Sequence, residues 1–185
     1  MTFTDTHCHL ADPKLANTLP AVLAEAQAAG VARFIVPATS PKDWHSVAQL
    51  ERLSENIHIA LGIHPWFSDG LNEAAFQELE KELIRHPQAW VGEIGLDFYG
   101  KEQTQAQRDT QTDVFIRQLI LAQHLNRRVI IHNLKAAAAI AAAVKTAGFT
   151  RGGIVHAFSG SVEEARILVK LGFKIGIGSL LLNPN

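Results

Sequence analysis

The sequence predicts an α/β fold of the (β/α)8, or TIM-barrel, type that is incomplete at its C-terminus, since seven strands can be identified. Three observations support this prediction. Short β-rich runs alternate with longer helical patterns, which indicates a parallel sheet because each parallel connection needs a crossover helix. The predicted strands are apolar throughout, as expected of a sheet covered on both faces. Their polar residues cluster at their C-terminal ends, where barrel enzymes carry their active sites.

An open, doubly wound sheet fits the first two observations equally well. Sheets of that kind that bind dinucleotides carry a glycine-rich phosphate loop after the first strand. The sequence has no such loop after residues 3–10, where the first strand is predicted. The polar residues at the strand ends therefore decide in favour of the barrel.

Each predicted strand is a short run of mainly β-branched and other apolar residues, such as RFIVPAT for the second and RVIIH for the fifth. The first run, FTDTHCHL, begins almost at the start of the chain. The seven strands are predicted at residues 3–10, 33–39, 57–65, 90–98, 128–132, 152–158 and 174–178.

The segments between the strands have helical patterns with recognisable ends. Pro41 suits the first turn of the second helix, where its missing N–H is not needed. Gly148 and Gly172 fit the position just after a helix, which favours a left-handed conformation. The six helices are predicted at residues 19–30, 42–54, 72–85, 104–125, 135–147 and 162–171. Because no linker interrupts the pattern, residues 1–185 are predicted to form a single barrel domain that lacks the expected final βα segment.

Composition narrows the class of protein. The chain has 185 residues, 47% of them hydrophobic, and a formal net charge of −1, which is typical of a globular protein. One cysteine cannot form an internal disulfide, so a reducing compartment such as the cytoplasm is expected. No signal peptide is predicted, and no stretch reaches the roughly 18 uninterrupted apolar residues of a membrane span. The charge balance argues against a duplex-reading DNA-binding module, but it is compatible with an enzyme that handles a few phosphates at a metal.

The motif DTHCHL places His7 and His9 two residues apart. Side chains alternate between the two faces of a strand, so both imidazoles are expected to point the same way. Cys8 is expected to point the opposite way, as a thiol in the core. Two adjacent imidazoles provide half of a typical metal site.

Further polar residues end the later strands, and the C-terminal ends of parallel strands meet on one face of a barrel. Imidazole and carboxylate ligands together suit Zn, Mn, Co or Fe, and carboxylate-rich sites also take Mg. Four histidines and one glutamate are too many for one open catalytic ion, and they suit two ions that a carboxylate bridges. The strand-end residues are His7 and His9, His64, Glu93 and Asp97, His132, and His156.

The motifs DTHCHLAD, GIHPW, GEIGLDF, VIIHN and VHAFSG, in this order, resemble those of the TatD family of metal-dependent deoxyribonucleases, which belongs to the amidohydrolase-like superfamily of TIM barrels. The resemblance extends from about residue 3 to residue 178. Related phosphotriesterases usually bridge their metals with a modified lysine at strand four. This chain carries Glu93 there, which favours the nuclease branch.

The resemblance implies a role for each of these residues. His7 and His9 would hold the first metal ion, and Glu93 would bridge both ions. His132 and His156 would hold the second ion. The implied catalytic residues are His64 and Glu93, and the implied substrate-binding residues are His64, in contact with a phosphate, and Asp97, through a supporting hydrogen bond.

The sequence departs from the family pattern at three places. Leu134 occupies a position that is usually arginine, and Arg128 one that is usually proline. The family closes its barrel with an eighth strand ending in a Thr-Asp pair, whose aspartate completes the first metal site and acts as general base. This chain reads KIGIGSLLLNPN instead, in which SLLL resembles only the start of such a strand.

The resemblance implies a cytoplasmic, monomeric deoxyribonuclease with two divalent ions (Zn, Mg, Mn or Co). Its substrate would be DNA, single-stranded or at frayed ends, because the site is expected to be a pocket. One alternative is a related amidohydrolase-type enzyme acting on a lactone, an amide or a phosphotriester, since fold does not fix substrate. Another is a catalytically impaired, truncated form that only binds metal. The substrate turned over in the presence of metal discriminates between them.

Overall fold

Seven parallel strands form one sheet in the computed structural model, which describes residues 2–100 and 102–182. The strands follow one another in the sheet in their order along the chain. This singly wound order is that of a TIM-type barrel and confirms the predicted fold class. The predicted domain of residues 1–185 includes a few residues outside the described ones. The strands are Phe3–Asp5 (β1), Val31–Pro37 (β2), Ile57–Leu61 (β3), Trp90–Asp97 (β4), Val129–Leu134 (β5), Gly153–Val155 (β6) and Phe173–Ile175 (β7).

Six α-helices connect the strands in the described part of the chain. Because crossovers between parallel strands are right-handed, this strand order puts the helices on one face of the sheet, the outside of the barrel. Capping boxes start α4 at Thr104 and α6 at Ser161, where side chain and backbone bond reciprocally. None of the described helices combines the length and the apolarity needed to cross a membrane. The helices are Leu19–Ala28 (α1), Trp44–Leu50 (α2), Glu73–Arg85 (α3), Gln105–His124 (α4), Ala137–Thr146 (α5) and Val162–Lys170 (α6).

Hydrophobic side chains pack on both faces of the sheet. Val36 of β2 and Ile131 of β5 belong to the main core, which also contains the buried faces of the helices. Their chain neighbours Ile35 and Ile130 point to the opposite face and form a second, smaller cluster with Ile154. This double burial explains why the strands are apolar throughout rather than alternating.

Several strands end earlier than predicted, both at the edges of the sheet and within it. β1 ends at Asp5 rather than at residue 10, and β7 ends at Ile175 rather than at residue 178. In the described part of the chain each of these strands has one neighbour, so fewer hydrogen bonds extend it. β3, β6 and α2 are also shorter than predicted. SLLL forms a 3-10 helix, Ser179–Leu182, instead of the start of a strand.

Gly95 permits the close approach of β4 and β5. It pairs with His132 in the sheet, and its φ is +141°, a value that side chains other than glycine rarely adopt. A Cβ at this position would overlap the carbonyl oxygen of His132. Glycine is therefore required two residues after Glu93 for both conformational and steric reasons.

Replacing Gly95 with alanine should lower the free energy of unfolding by about 3 kcal/mol or more, because a strained φ and a collision with backbone add together. Gly70→Ala is the matched control, since Gly70 has a φ of +72° but nothing within 4 Å of an added Cβ. The free energy of unfolding of that variant should fall by only about 1 kcal/mol. Urea unfolding followed by circular dichroism measures both losses. Equal losses would contradict the steric requirement at Gly95.

Candidate metal centre

Six polar side chains converge on one cavity of about 320 Å³ at the C-terminal ends of five strands. They are the residues that the sequence predicts as metal ligands or catalytic groups. Asp97, at the end of β4, contacts two cavity residues, His132 and Trp66, from the side. The structure thus brings every predicted site residue together. The six predicted residues that line the cavity are His7, His9, His64, Glu93, His132 and His156.

The carboxylate of Glu93 lies at the centre of the site and is only 3% exposed. Its Oε1 lies 2.7 Å from Nε2 of His156, 3.1 Å from Nδ1 of His132 and 3.5 Å from Nε2 of His64. Its Oε2 lies 3.4 Å from Nε2 of His7. Burial alone would raise the pKa of Glu93, but the contacts of the carboxylate with these histidines outweigh burial and hold the pKa well below its usual value. The result is a buried anion whose two oxygens face different groups of imidazoles.

His7 and His9 lie in the loop that follows β1, so the strand alternation expected to align them does not extend this far. Their imidazoles still converge, with Nε2 atoms 3.0 Å apart. The loop is held by its backbone, since the N–H of Cys8 donates to the carbonyl of Ile35 over 3.2 Å. The N–H of His7 also donates to Oδ1 of Asp5 over 3.1 Å. The convergence therefore depends on loop contacts rather than on the pleat of a strand.

The rings of His7 and His156 stack, with centroids 3.8 Å apart and planes inclined by 7°. Burial is the largest effect on His7 and lowers its pKa to about 3 despite the nearby Glu93 carboxylate. His7 is therefore neutral near pH 7, with a lone pair available. Among the described residues, Nε2 of His156 has no hydrogen-bond partner, although it lies 2.7 Å from Oε1 of Glu93.

His132 lies between two carboxylates. Its Nδ1 is 3.1 Å from Oε1 of Glu93, and its Nε2 is 3.2 Å from Oδ2 of Asp97. Burial tends to lower the pKa of His132, but the hydrogen bond and charge of Glu93, together with Asp97, outweigh burial and raise the pKa above its usual value. Metal-binding histidines commonly donate their second N–H to a carboxylate. Asp97 is placed to accept this hydrogen bond from the Nε2–H of His132, which leaves Nδ1 free to bind.

His64 follows β3 and caps the 3-10 helix Pro65–Phe67. Its Nδ1 accepts a hydrogen bond from the backbone N–H of Trp66 over 3.1 Å. Since a backbone N–H can only donate, Nδ1 carries no proton, and the proton of the neutral ring lies on Nε2. That nitrogen faces the cavity as a donor, which suits contact with a substrate oxygen better than metal binding.

The donor set fits a divalent metal ion. Two groups have potential ligand atoms that all lie within 4.8 Å of one another: His7, His9 and Glu93, and His64, Glu93 and His132. Two ligands of one tetrahedral zinc ion lie about 3.3 Å apart, given Zn–N distances of about 2.0–2.1 Å. The 3.0 Å between the Nε2 atoms of His7 and His9 and the 3.4 Å from His7 to Glu93 approach this spacing. The residues present could therefore hold such an ion.

Sequence reasoning missed the glutamines of α4 that fix two strand ends. The amide of Gln118, which is fully buried, pairs with the backbone of Ile63: Oε1 accepts from the N–H over 2.8 Å, and Nε2 donates to the carbonyl over 3.0 Å. Oε1 of Gln111 accepts from the N–H of Asp97 over 3.0 Å. Their spacing of seven residues on one helix face was the available signal. A glutamine in a helical pattern is, however, ordinarily interpreted as exposed.

Thr39 and Trp66 also line the cavity and were not predicted. Thr39 lies just beyond β2, so the reasoning that found the histidines could have found it. Its N–H and hydroxyl donate to Oδ2 of Asp43 over 2.9 and 2.7 Å. The local pattern SPKD was the available signal, since an acidic residue three positions after a serine is typical of a helix start, and the N–H of Ser40 does donate to Oδ1 of Asp43 over 3.0 Å.

A parallel barrel that gathers imidazoles around a buried carboxylate at its strand ends is the architecture of a metal-dependent hydrolase. The family model for the TatD related DNases matches residues 4–185. The chain belongs to this family.

Individual relatives agree with this assignment. The uncharacterized metal-dependent hydrolase YjjV of Escherichia coli K12 is 35% identical over 184 residues, which cover 98% of this chain and 70% of YjjV. The crystal structure of that TatD homolog matches this chain with a TM-score of 0.90, over 98% of this chain and 70% of the other. The uncharacterized metal-dependent hydrolase YabD of Bacillus subtilis is 31% identical over 176 residues, covering 94% of this chain and 68% of YabD.

Binding of a metal ion should release a proton from His132 and should therefore weaken as pH falls. Below its raised pKa, His132 is protonated, so the ion must displace that proton. His7, with a pKa of about 3, adds no proton release near neutrality. Calorimetric titration with Zn²⁺ between about pH 6 and pH 8, in buffers of different ionisation enthalpy, counts the protons released per ion.

Asp97→Asn is the control for this titration, because it removes one of the charges that raise the pKa of His132. The pH range over which affinity falls should move to lower pH in this variant. Unchanged pH dependence in Asp97→Asn would contradict the assignment of the released proton to His132.

Cys8 should react slowly with alkylating reagents. Burial is the main effect that raises the pKa of its thiol to about 12. Thiolate is the reactive form, so alkylation by iodoacetamide near pH 8 should be about 100-fold slower than for an exposed cysteine. Mass spectrometry follows the reaction, with the urea-unfolded chain as the reference. Equal rates in the folded and unfolded chains would show that the fold does not raise the pKa of the partly buried Cys8 thiol.

Proposed function

We propose that this protein is a deoxyribonuclease that hydrolyses phosphodiester bonds with two divalent metal ions held on either side of Glu93. The observation that carries the proposal is that the two oxygens of the Glu93 carboxylate face different imidazoles. Oε2 faces His7, and Oε1 faces His132 and His156. A carboxylate whose two oxygens contact different groups of imidazoles is placed as a bridging ligand would be.

The distances support the first of the proposed ligand sets, and the second also follows the family resemblance, because the second compact group of potential ligand atoms contains His64 in place of His156. His7 and His9 hold the first ion with Oε2 of Glu93, since their Nε2 atoms adjoin each other. His132 and His156 hold the second ion with Oε1. The ions themselves are Zn, Mg, Mn or Co, and when bound they lower the pKa of a water molecule and neutralise charge on the reacting phosphate.

The other residues of the site act on the substrate and on the ligands. His64 donates from Nε2 to a phosphate oxygen, because the backbone N–H of Trp66 keeps its Nδ1 unprotonated. Asp97 accepts a hydrogen bond from the Nε2–H of His132 and so holds this imidazole in the form that binds through Nδ1. Asp97 is thereby a positioning residue, and it contributes to substrate binding through its contact with Trp66.

The shape of the site favours single-stranded DNA or frayed ends. The six ligand and catalytic side chains line a cavity of about 320 Å³, at the small end of the range of ligand pockets, about 300–1,000 Å³. A rigid duplex presents its phosphates on a convex surface, whereas a single strand can bend one phosphate into such a cavity. We also propose a monomer located in the cytoplasm, where a chain with one cysteine needs no disulfide.

The test is cleavage of a single-stranded oligodeoxynucleotide with Mg²⁺, Mn²⁺, Co²⁺ or Zn²⁺ added to the metal-stripped protein. His132→Ala and Glu93→Gln should each reduce the rate by more than about 100-fold, since even the loss of an outer partner of a metal ligand costs about 10- to 100-fold. His45→Ala is the control, because His45 is an exposed histidine on α2. Its rate should equal that of the parent chain.

Three results would contradict the proposal. Cleavage that survives in His132→Ala would place the reaction elsewhere in the protein. Turnover of a lactone, an amide or a phosphotriester without cleavage of DNA would assign the site to a related hydrolase. Metal binding without any hydrolysis would show a chain that only binds metal.

A further inference from the structure

Trp66 differs from the other two tryptophans in its environment. Trp44 is 3% exposed and Trp90 is half-buried, whereas Trp66 is 71% exposed. Its side chain nevertheless lines the cavity of the metal centre. Phe67, the next residue, is 45% exposed and lines the same cavity. A pair of exposed aromatic side chains thus forms part of the rim of the site.

The indole of Trp66 is exposed but held in one orientation. Its Nε1–H donates to Oδ2 of Asp97 over 2.8 Å, and the same oxygen contacts Nε2 of His132. Its backbone N–H donates to Nδ1 of His64. Pro65 fixes φ in the turn before it, and the N–H of Phe67 closes that turn on the carbonyl of His64 over 2.9 Å. Backbone and side chain are therefore both fixed.

Packing does not explain this arrangement. An exposed indole gains little from burial, and holding it in one rotamer costs conformational entropy. The hydrogen bond to Asp97 instead presents the ring beside the reacting groups. The indole centroid lies 4.9 Å from the ring of His64 and 6.4 Å from the ring of His132. A single nucleotide can span the distance between this ring and a phosphate at the metal centre.

We infer that Trp66 is a stacking platform for a nucleobase of the substrate, next to the phosphate that is cleaved. This inference rests on the proposed function, and it adds a binding subsite and its ligand class. Every base has a flat π-face, so a tryptophan platform binds all four bases without reading hydrogen bonds. The subsite requires an unpaired base, which matches a single-stranded substrate. Asp97 then links the two subsites, since it holds both the platform and the metal-site imidazole His132.

The test couples a change in the protein to a change in the substrate. Trp66→Leu keeps an apolar side chain but removes the flat ring, and Trp66→Phe keeps a ring. Leu53→Ala is the control, because Leu53 is 59% exposed and lies outside the cavity. The substrates are single-stranded oligodeoxynucleotides in which one nucleotide at a time around the cleaved bond is replaced by a tetrahydrofuran abasic unit.

For the unmodified oligonucleotide, Trp66→Leu should raise KM about 10-fold, the size of one lost base-stacking contact, with little change in kcat. Trp66→Phe should raise KM less than about threefold, and Leu53→Ala should leave KM unchanged. When the abasic unit is at one particular position, the KM of the parent chain should rise as much as the KM of Trp66→Leu rises on the unmodified oligonucleotide. On this abasic substrate the KM of Trp66→Leu should rise no further, because the two changes remove the same contact.

Photocrosslinking supplies a readout that does not depend on turnover. An oligonucleotide with 5-bromodeoxyuridine at the same position should crosslink to Trp66 on irradiation, and mass spectrometry identifies the residue. If the parent chain cleaves DNA but the KM of Trp66→Leu equals that of the parent chain on each substrate, the stacking inference is wrong and the nuclease proposal stands. If the parent chain neither cleaves nor crosslinks DNA, both are wrong.

Discussion

A buried anion at the mouth of the barrel organises this protein. Glu93 is almost inaccessible to water, and an uncompensated carboxylate in that position would be strongly destabilising. The surrounding imidazoles compensate it, with nitrogens 2.7 to 3.5 Å from its oxygens. Glu93 therefore depends on the imidazoles around it.

The fold supplies this geometry through contacts outside the cavity. Gly95 lets β4 and β5 approach so that Glu93 and His132 adjoin. Helix α4 fixes the ends of β3 and β4 through the buried amides of Gln118 and Gln111. Rigid support of this kind keeps the side chains of a site in place before a ligand binds. The same helix thereby links the hydrophobic core to the chemistry of the site.

The strand-end histidines and Glu93 could be predicted because parallel strands deliver their C-terminal ends to one face whatever their exact length. For the same reason, ending β1 at Asp5 instead of residue 10 left His7 and His9 near their partners. Gln118 and Trp66 could not be predicted in this way. Their roles depend on the backbone of Ile63 and on Asp97, which are distant in sequence, and only the packed structure reveals those pairs.

The most direct test of the central claim is anomalous X-ray diffraction from crystals grown with Zn²⁺ or Mn²⁺. Two anomalous peaks should flank Glu93, one in contact with Oε2, His7 and His9, the other with Oε1, His132 and His156. Glu93→Ala crystals should lose at least one of the peaks, since each ion loses a ligand. A single peak, or peaks that do not contact the Glu93 carboxylate, would contradict a bridged two-metal site.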